Sequence, residues 1–242
     1  EERGAETELA DLHAFDLPMF NSDVAWDRYP STVHALIRAA RRADYDPALL
    51  MAIADKESSL RAMANASTSS AAGLFQFIEK TWLQAVREFG AQHGLARESA
   101  EIEGPDDNPY IADEQERARV LALRERPYLA TVMAAEMLKR DAGKVAENVG
   151  RNLSAGETYL IHFLGQRDAK LFLSRLADEP QVSAAATLPR PAKANKPIFY
   201  ERGKAKPLSV AKVHEKFEEM MGMRVDRYSD VSEIAGAMAY AE

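Results

Sequence analysis

The chain has 242 residues, a formal net charge of −7, no cysteine and an apolar fraction of 46%. This length and composition predict a globular protein with a sizeable core, and the missing cysteine excludes disulfides and thiolate metal sites. The acidic balance, without a cluster of Lys and Arg, argues against a nucleic-acid partner because such proteins need basic residues to neutralise phosphates.

The N-terminal residues, 1–25, are acidic and irregular, and we expect them to form a flexible arm. The chain starts at Glu1 rather than at methionine, and removal of an export signal is one ordinary reason for such a start. We therefore expect a periplasmic or exported protein, with a phage virion as a second location. No apolar run approaches the roughly 20 residues that cross a bilayer, so no integral membrane segment is expected.

Apolar residues at helical spacing predict an all-α body over residues 26–178. A first helix is expected over residues 32–43. Asp46 and Pro47 then predict the start of a second helix, because Asp is a favoured cap and Pro fits the first turn. On that helix Leu50, Ile53 and Glu57 lie on one face, so an acid ends an otherwise apolar stripe.

Glu57 has the features of a general acid. Apolar neighbours disfavour a charged carboxylate, and so does the negative end of the helix dipole. Both effects favour the neutral carboxyl group that a general acid requires. The alternative interpretation is a solvated glutamate at a frayed helix end.

The segment after Glu57 predicts a loop or groove, because residues 65–72 are mostly small. Gly73 then permits a close approach of another backbone segment. Phe75, Gln76 and Phe77 place two aromatic side chains around one amide, a combination suited to stacking sugar rings and binding an acetamido group. The alternative is that both phenylalanines belong to the core.

Further helices are predicted over residues 80–89 with Gly90 as the end, from Pro127, between the Ser154/Glu157 capping box and Gly165, and over residues 169–176. Residues 97–126 form a charged insertion that contains a solvated helix. Residues 179–242 are interpreted as a connector followed by a helical C-terminal extension, which either packs on the body or binds a partner.

The motifs around Glu57 resemble the soluble lytic transglycosylase (SLT) domain, which shares the goose-type lysozyme fold. They are Glu57-Ser58, the run SAAGLFQF that ends at Phe77, and Lys80-Thr81-Trp82, with Phe75 in place of the usual methionine. Downstream, ETYLIHFLG is similar to the family's tyrosine motif and resembles a subset with Tyr-x-x-His-Phe-Leu-Gly. The resemblance covers about residues 31–176 and implies an all-α, lysozyme-like domain with a C-terminal extension.

The resemblance also implies an activity, the cleavage of the bond between N-acetylmuramic acid and N-acetylglucosamine in peptidoglycan, with a 1,6-anhydro product. Glu57 would be the acid and base, and Tyr159 would position it. No metal or organic cofactor is implied, and the partner is the glycan strand. The residues that would bind substrate are Ser58, Phe75, Gln76, Phe77 and His162, the last as a hydrogen-bonded residue beside the groove.

Ordinary glycosidases use two carboxylates, and the sequence offers no convincing second one. Asp55 lies about 200° from Glu57 around the helix, Glu79 is expected to be solvated, and Glu136 and Asp113 cannot be placed. The alternatives to a lytic transglycosylase are a lysozyme-type muramidase that uses water, and a non-catalytic glycan-binding or scaffold protein. A regulatory protein partner would bind the insertion or the C-terminal extension.

Overall fold

The computed structural model describes residues 29–67 and 69–231, so the arm predicted at residues 1–25 lies outside the described residues. Within these ranges every regular element is a helix, and the remaining extended contacts are isolated β-bridges. The prediction of an all-α fold is confirmed. The α-helices are α1 (Ser31–Arg42), α2 (Pro47–Ser58), α3 (Glu79–Phe89), α4 (Ala96–Ala100), α5 (Glu114–Ala122), α6 (Pro127–Val149), α7 (Ala155–Leu164), α8 (Gln166–Asp178), α9 (Ala184–Thr187), α10 (Pro189–Ala194), α11 (Lys196–Phe199) and α12 (Val210–Arg227).

The longest helix, α6, lies at the centre and packs against α1, α3, α7 and α8. Pro127 occupies its first turn, where a missing N–H has no cost. Helix α2 is buried along most of its length rather than along one stripe. An acid at its end is therefore surrounded by protein. Among the described residues, no helix is both long enough and apolar enough to span a bilayer.

The start and the end of α2 determine where Glu57 lies. The Asp46 side chain accepts a hydrogen bond from the backbone N–H of Ala48 at 2.9 Å, which confirms the predicted cap. At the other end, Ser59 and Leu60 adopt positive φ angles of 52° and 58°. Two consecutive non-glycine residues in this strained region turn the chain sharply away just after Glu57.

Helix α3 ends at Phe89 with Gly90 after it, as predicted, but Gly90 is not left-handed. Gly90 has an ordinary helical φ of −57°, and the chain continues as a 3-10 turn over Gly90–His93. The left-handed glycine that ends this segment is Gly94, with φ 82°. Gly90 is instead needed for space, because a Cβ there would lie 3.2 Å from Leu95 and Val86 side-chain atoms.

The charged insertion contains α4, a short hairpin-like contact between Glu103 and Tyr110, and α5. Of the residues of α5, Val120 is buried and the rest are at least partly exposed, so the prediction of a solvated helix is confirmed. The buried indole of Trp82 donates a 2.8 Å hydrogen bond to the Val120 carbonyl. This bond ties α5 to α3.

The C-terminal extension packs on the body, which was one of the two alternatives left open by the sequence. Its connector is not an extended linker, because it forms the three short helices α9, α10 and α11. Helix α12 begins after a Ser209 cap and packs against α7, α2 and α8. Its buried side chains are Val210, Val213, Phe217 and Met221.

Candidate active site

The site is built around a direct contact between Glu57 and Tyr159. Glu57 lies in the last turn of α2, and Tyr159 lies in the middle of α7. The phenol O–H of Tyr159 donates a 2.6 Å hydrogen bond to Glu57 Oε1. The carboxyl side chain of Glu57 keeps about 20% of its surface exposed. A partly desolvated acid that still opens to solvent is suited to meeting a substrate.

Tyr159 is 3% exposed and lies in an environment that keeps its phenol neutral. Burial, followed by the Glu57 charge and the hydrogen bond to it, raises the pKa of Tyr159 well above its usual value, and only the Arg224 charge acts in the opposite direction. A phenol held in this state remains a donor. Since it donates to Oε1, Oε2 is the oxygen of Glu57 left to carry a transferable proton.

His162 lies one turn after Tyr159, on the same side of α7. Its Nε2 is 3.8 Å from Glu57 Oε1, and its ring stacks on Tyr159 with centroids 5.9 Å apart. The 3.8 Å between His162 Nε2 and Glu57 Oε1 is too long for a hydrogen bond but short enough for an electrostatic contact. His162 is therefore a neighbour of the carboxyl group at the edge of the site.

A cleft of about 520 Å³ lies next to His162, although neither Glu57 nor Tyr159 is one of its lining residues. Gln76 and His162 line it, and the latter joins it to Glu57. Arg140 and Asp141 of α6 also line it and are bonded to each other at 2.7 Å. A further cavity of about 380 Å³ lies on the extension and is lined by residues of the segment 200–219, none of which belongs to the pair.

The loop before α3 is held by its own polar groups. The Gln76 amide donates hydrogen bonds to the carbonyls of Gly73 at 2.9 Å and Ala64 at 3.1 Å, while Gln76 itself has a positive φ of 46°. Gly73 has φ 78°, and a Cβ there would lie 2.0 Å from the carbonyl oxygen of Arg124. The predicted close backbone approach at Gly73 is confirmed.

Residues 34–115 match a family model described as the transglycosylase SLT domain. This segment holds Glu57, the Gln76 loop and α3, in the order described above. Residues 34–115 form an SLT domain. An SLT domain supports a peptidoglycan-acting function of the lytic transglycosylase type.

The SLT match ends before α7, so Tyr159 and His162 lie outside it. The resemblance of the segment around Tyr159 to a Tyr-x-x-His-Phe-Leu-Gly subset therefore stays a prediction. The structure adds the position of Tyr159 relative to Glu57. A residue 102 positions after Glu57 donates a hydrogen bond to it, so the site combines the SLT domain with a later helix.

Three of the expected substrate contacts need correction because their groups are already engaged. The Ser58 hydroxyl is buried and donates to the Ala54 carbonyl at 3.0 Å, so it does not face a ligand. Phe75 and Phe77 are 1% and 4% exposed and belong to the core. Although both contribute to the floor of the cleft, neither offers a ring face for stacking on a sugar. For the two phenylalanines the alternative interpretation was the right one.

The role expected for Gln76 changes as well. Both hydrogen bonds of its amide nitrogen go to loop carbonyls, so its first function is to hold the loop. The amide oxygen is the part of this side chain not used by those two bonds. Since Gln76 lines the cleft, a sugar group that donates a hydrogen bond could still reach that oxygen.

The other acids considered from the sequence each have a partner away from Glu57. The expectation that Glu79 is solvated is wrong, because both of its oxygens accept 2.6 Å hydrogen bonds from Arg117. Asp113 caps α5, and Glu136 lies 2.9 Å from His93. Asp55 points away from the cleft, as predicted, and faces α12.

One cluster outside the pair brings together potential metal ligands, Glu157, His214 and Glu218, with ligand atoms within 4.8 Å of one another. Both oxygens of the buried Glu157 already accept hydrogen bonds from Arg151, at 2.7 and 2.6 Å. Burial alone would raise the pKa of Glu157, but hydrogen bonds from Arg151 and His214 outweigh it and hold that pKa well below its usual range. We interpret the cluster as an ion-pair network between α7 and α12.

Sequence reasoning missed the contribution of α12 to the site. The Phe217 ring lies 5.8 Å from the Tyr159 ring and 5.5 Å from Phe163. Phe217 continues the apolar spacing of Val210 and Val213, which predicts a helix with one buried face. That spacing does not predict which other helix packs against the buried face of α12.

Proposed function

We propose that this SLT-domain protein is a lytic transglycosylase that cleaves the β-1,4 bond between N-acetylmuramic acid and N-acetylglucosamine and leaves a 1,6-anhydro end. The observation that carries the proposal is the carboxyl group of Glu57, which is hydrogen-bonded to a buried phenol and lies 3.8 Å from His162, a residue that lines a cleft. The four other acids weighed above are bonded elsewhere. A mechanism with one carboxyl group therefore fits better than one with two.

In the first step Glu57 acts as the general acid. The proton on Oε2 passes to the glycosidic oxygen as the bond to the muramic acid C1 breaks. Positive charge develops at C1, and the acetamido group of the substrate can stabilise it. The hydrogen bond from Tyr159 holds the carboxyl group in one orientation and stabilises the negative charge that Glu57 acquires.

In the second step Glu57 acts as the general base. Its carboxylate removes the proton from the muramic acid 6-hydroxyl, and the oxygen of that hydroxyl forms a bond to C1. The ring closure returns the proton to Glu57, and no water is consumed. A carboxyl group that leaves and regains one proton matches the two roles required of a single residue.

The proposed substrate is consistent with the surroundings of the site. His162, Gln76 and the Arg140–Asp141 pair give the cleft polar groups that can bind hydroxyl and amide groups of a glycan. Because peptidoglycan lies outside the inner membrane, the proposal places the protein in the periplasm or another exported compartment, or in a virion that meets the wall.

The test is a digest of purified sacculi with the wild type and with Glu57→Gln, followed by mass spectrometry of the released muropeptides. We expect anhydro ends, which are lighter than reducing ends by one water, and a loss of at least about 100-fold in rate for the variant. Exposed Glu147 on α6 provides a matched control, since Glu147→Gln makes the same chemical change away from the site.

Each other outcome contradicts a stated part of the proposal. Reducing ends would identify a hydrolytic muramidase that uses the same acid. Retention of the wild type on sacculi without soluble product would indicate a glycan-binding protein. Wild-type rates for Glu57→Gln would remove Glu57 from the mechanism.

A further inference from the structure

A second carboxylate, Asp55, lies two residues before Glu57 on α2 and takes no part in the mechanism above. Its side chain is 1% exposed, so it is buried in the same turn as Glu57. Its Oδ2 lies 3.3 Å from Arg224 Nε and 3.4 Å from Arg227 Nη1. An ionised group this deeply buried requires compensating charge, and the two arginines supply it.

Both arginines belong to the last turn of α12, more than 160 residues away along the chain. Arg224 is 14% exposed, and its Nη1 also donates to the Met220 carbonyl at 2.9 Å. Tyr228 follows in the same turn, and burial, together with the Asp55 charge, raises its pKa to about 12. The end of α12 thus surrounds Asp55 with two cations and one neutral phenol.

The same helix contacts the other half of the catalytic pair. Phe217, two turns before Arg224, packs on Tyr159 and on Phe163 of α7. At the residue after Phe217, α12 passes so near α7 that a Cβ on Gly156 would lie 2.8 Å from the Glu218 backbone nitrogen. One rigid element therefore contacts α2 through a charge pair and α7 through aromatic rings and backbone.

We propose that Arg224 is a positioning residue, which holds the last turn of α2 on α12 through Asp55 and thereby sets the distance between Glu57 and Tyr159. The inference rests on the proposed function, because Glu57 must be the reacting acid for its position to affect the rate. It makes the C-terminal extension part of the catalytic unit rather than an appendage.

The physical reason is the cost of an unpaired buried charge. Without Arg224, Asp55 keeps Arg227, whose Nη1 donates a 3.4 Å hydrogen bond to Oδ2 but whose side chain is 31% exposed, so the buried carboxylate loses its more deeply buried counter-charge. The carboxylate must then recruit water or a proton, and the turn that carries it moves. Because Glu57 is in that turn, its carboxyl group moves too, and a misplacement of about 1 Å can reduce a rate by about 100-fold.

The test compares Arg224→Met, Arg224→Lys and the double variant Asp55→Asn/Arg224→Met on soluble, uncrosslinked peptidoglycan strands. We expect Arg224→Met to lower kcat by about 10- to 100-fold and to leave KM within about threefold. Arg224→Lys should recover part of kcat because it keeps the charge. The double variant should recover part of it as well, because no buried charge remains uncompensated.

Two controls separate positioning from general damage. Lys212→Met removes a cation from the same helix that pairs with its neighbour Glu215 at the surface, and it should leave kcat unchanged. A crystal structure of Arg224→Lys and of Arg224→Met should show the Tyr159 Oη to Glu57 Oε1 distance near 2.6 Å in the first and beyond hydrogen-bond length in the second. If Arg224→Met does not fold, the double variant and Arg224→Lys still test the proposal.

Wild-type kcat in Arg224→Met, or an unchanged Tyr159–Glu57 distance, overturns the inference. So does a rise of KM that accounts for the whole loss, because substrate binding would then be the affected step. If the wild type itself releases no anhydro product while Glu57→Gln behaves like it, the proposed function fails. A functioning wild type with an unaffected Arg224→Met shows that only the positioning role is wrong.

Discussion

In the sequence, the charged insertion, residues 97–126, and the C-terminal extension, residues 179–242, were both additions to the SLT motifs where a protein partner would bind. In the structure they differ in what they bury. Helix α5 of the insertion buries Val120 alone, and its ion pairs, such as Arg119 with Glu98, lie at the surface. Helix α12 of the extension buries four apolar side chains and part of an ion pair with Asp55.

The two regions also support different parts of the site. The insertion reaches the Gln76 loop, because the Arg124 carbonyl packs on Gly73 and the Arg124 guanidinium donates a 3.0 Å hydrogen bond to the Phe77 carbonyl. The extension contacts Tyr159 through Phe217, and it contacts α2 at Asp55, two residues before Glu57. Net charge and composition therefore say little about how strongly a segment is coupled to a site, whereas burial of its side chains says a great deal.

The largest effect should come from Phe217→Ala in the extension. The ring is 2% exposed and packs on Tyr159 and Phe163, so its removal leaves a cavity behind the Tyr159 ring. We expect the free energy of unfolding to fall by about 3–5 kcal/mol, measured by urea denaturation. Met223→Ala, on an exposed side chain of the same helix, is the control and should change it little. Equal effects of the two substitutions would show that α12 is not coupled to α7.

A smaller effect is expected for Gly73→Ala, at the contact between the insertion and the loop. The methyl group would meet the Arg124 carbonyl oxygen at 2.0 Å, and the φ of 78° is itself unfavourable for alanine. We expect a loss of about 2–4 kcal/mol in thermal or urea unfolding, with reduced activity because the Gln76 loop moves.

Gly143 gives the matched control for that substitution. It lies within α6 with no atom within 4 Å of an added Cβ, so Gly143→Ala should stabilise the protein by about 0.5–1 kcal/mol. A stable, fully active Gly73→Ala protein would show that the insertion does not hold the loop.

The smallest effect is expected for Arg119→Ala on the outer surface of α5. Arg119 pairs with Glu98 and Glu116, but an exposed pair contributes little because water solvates both charges and salt screens them. We expect the unfolding midpoint and the sacculus digestion rate to stay within error of the wild type, in low and in high salt. A clear loss of stability or of digestion rate in low salt would show that the insertion, like the extension, is strongly coupled to the body.

The sequence predicted the features that depend on neighbours along the chain. Asp46 caps α2, Ser154 and Glu157 form the capping box of α7, and Gly165 ends that helix, each through contacts within a few residues. Gly73 was also predicted, because glycine beside small residues signals a tight approach even when its partner is unknown. These are interactions within one turn or one loop, so the residue types alone define them.

The tertiary structure decided which of those elements meet. It paired Tyr159 with a carboxyl group 102 residues earlier, and Arg227 with one 172 residues earlier, and it directed the rings of Phe75 and Phe77 into the core. The type of a side chain, apolar or charged, predicts only the kind of surface against which it can pack. The packing of several helices decides which surface of the protein that is. For that reason the place of Glu57 at the end of a buried helix could be predicted from its own helix, whereas the packing of α12 against that helix could not.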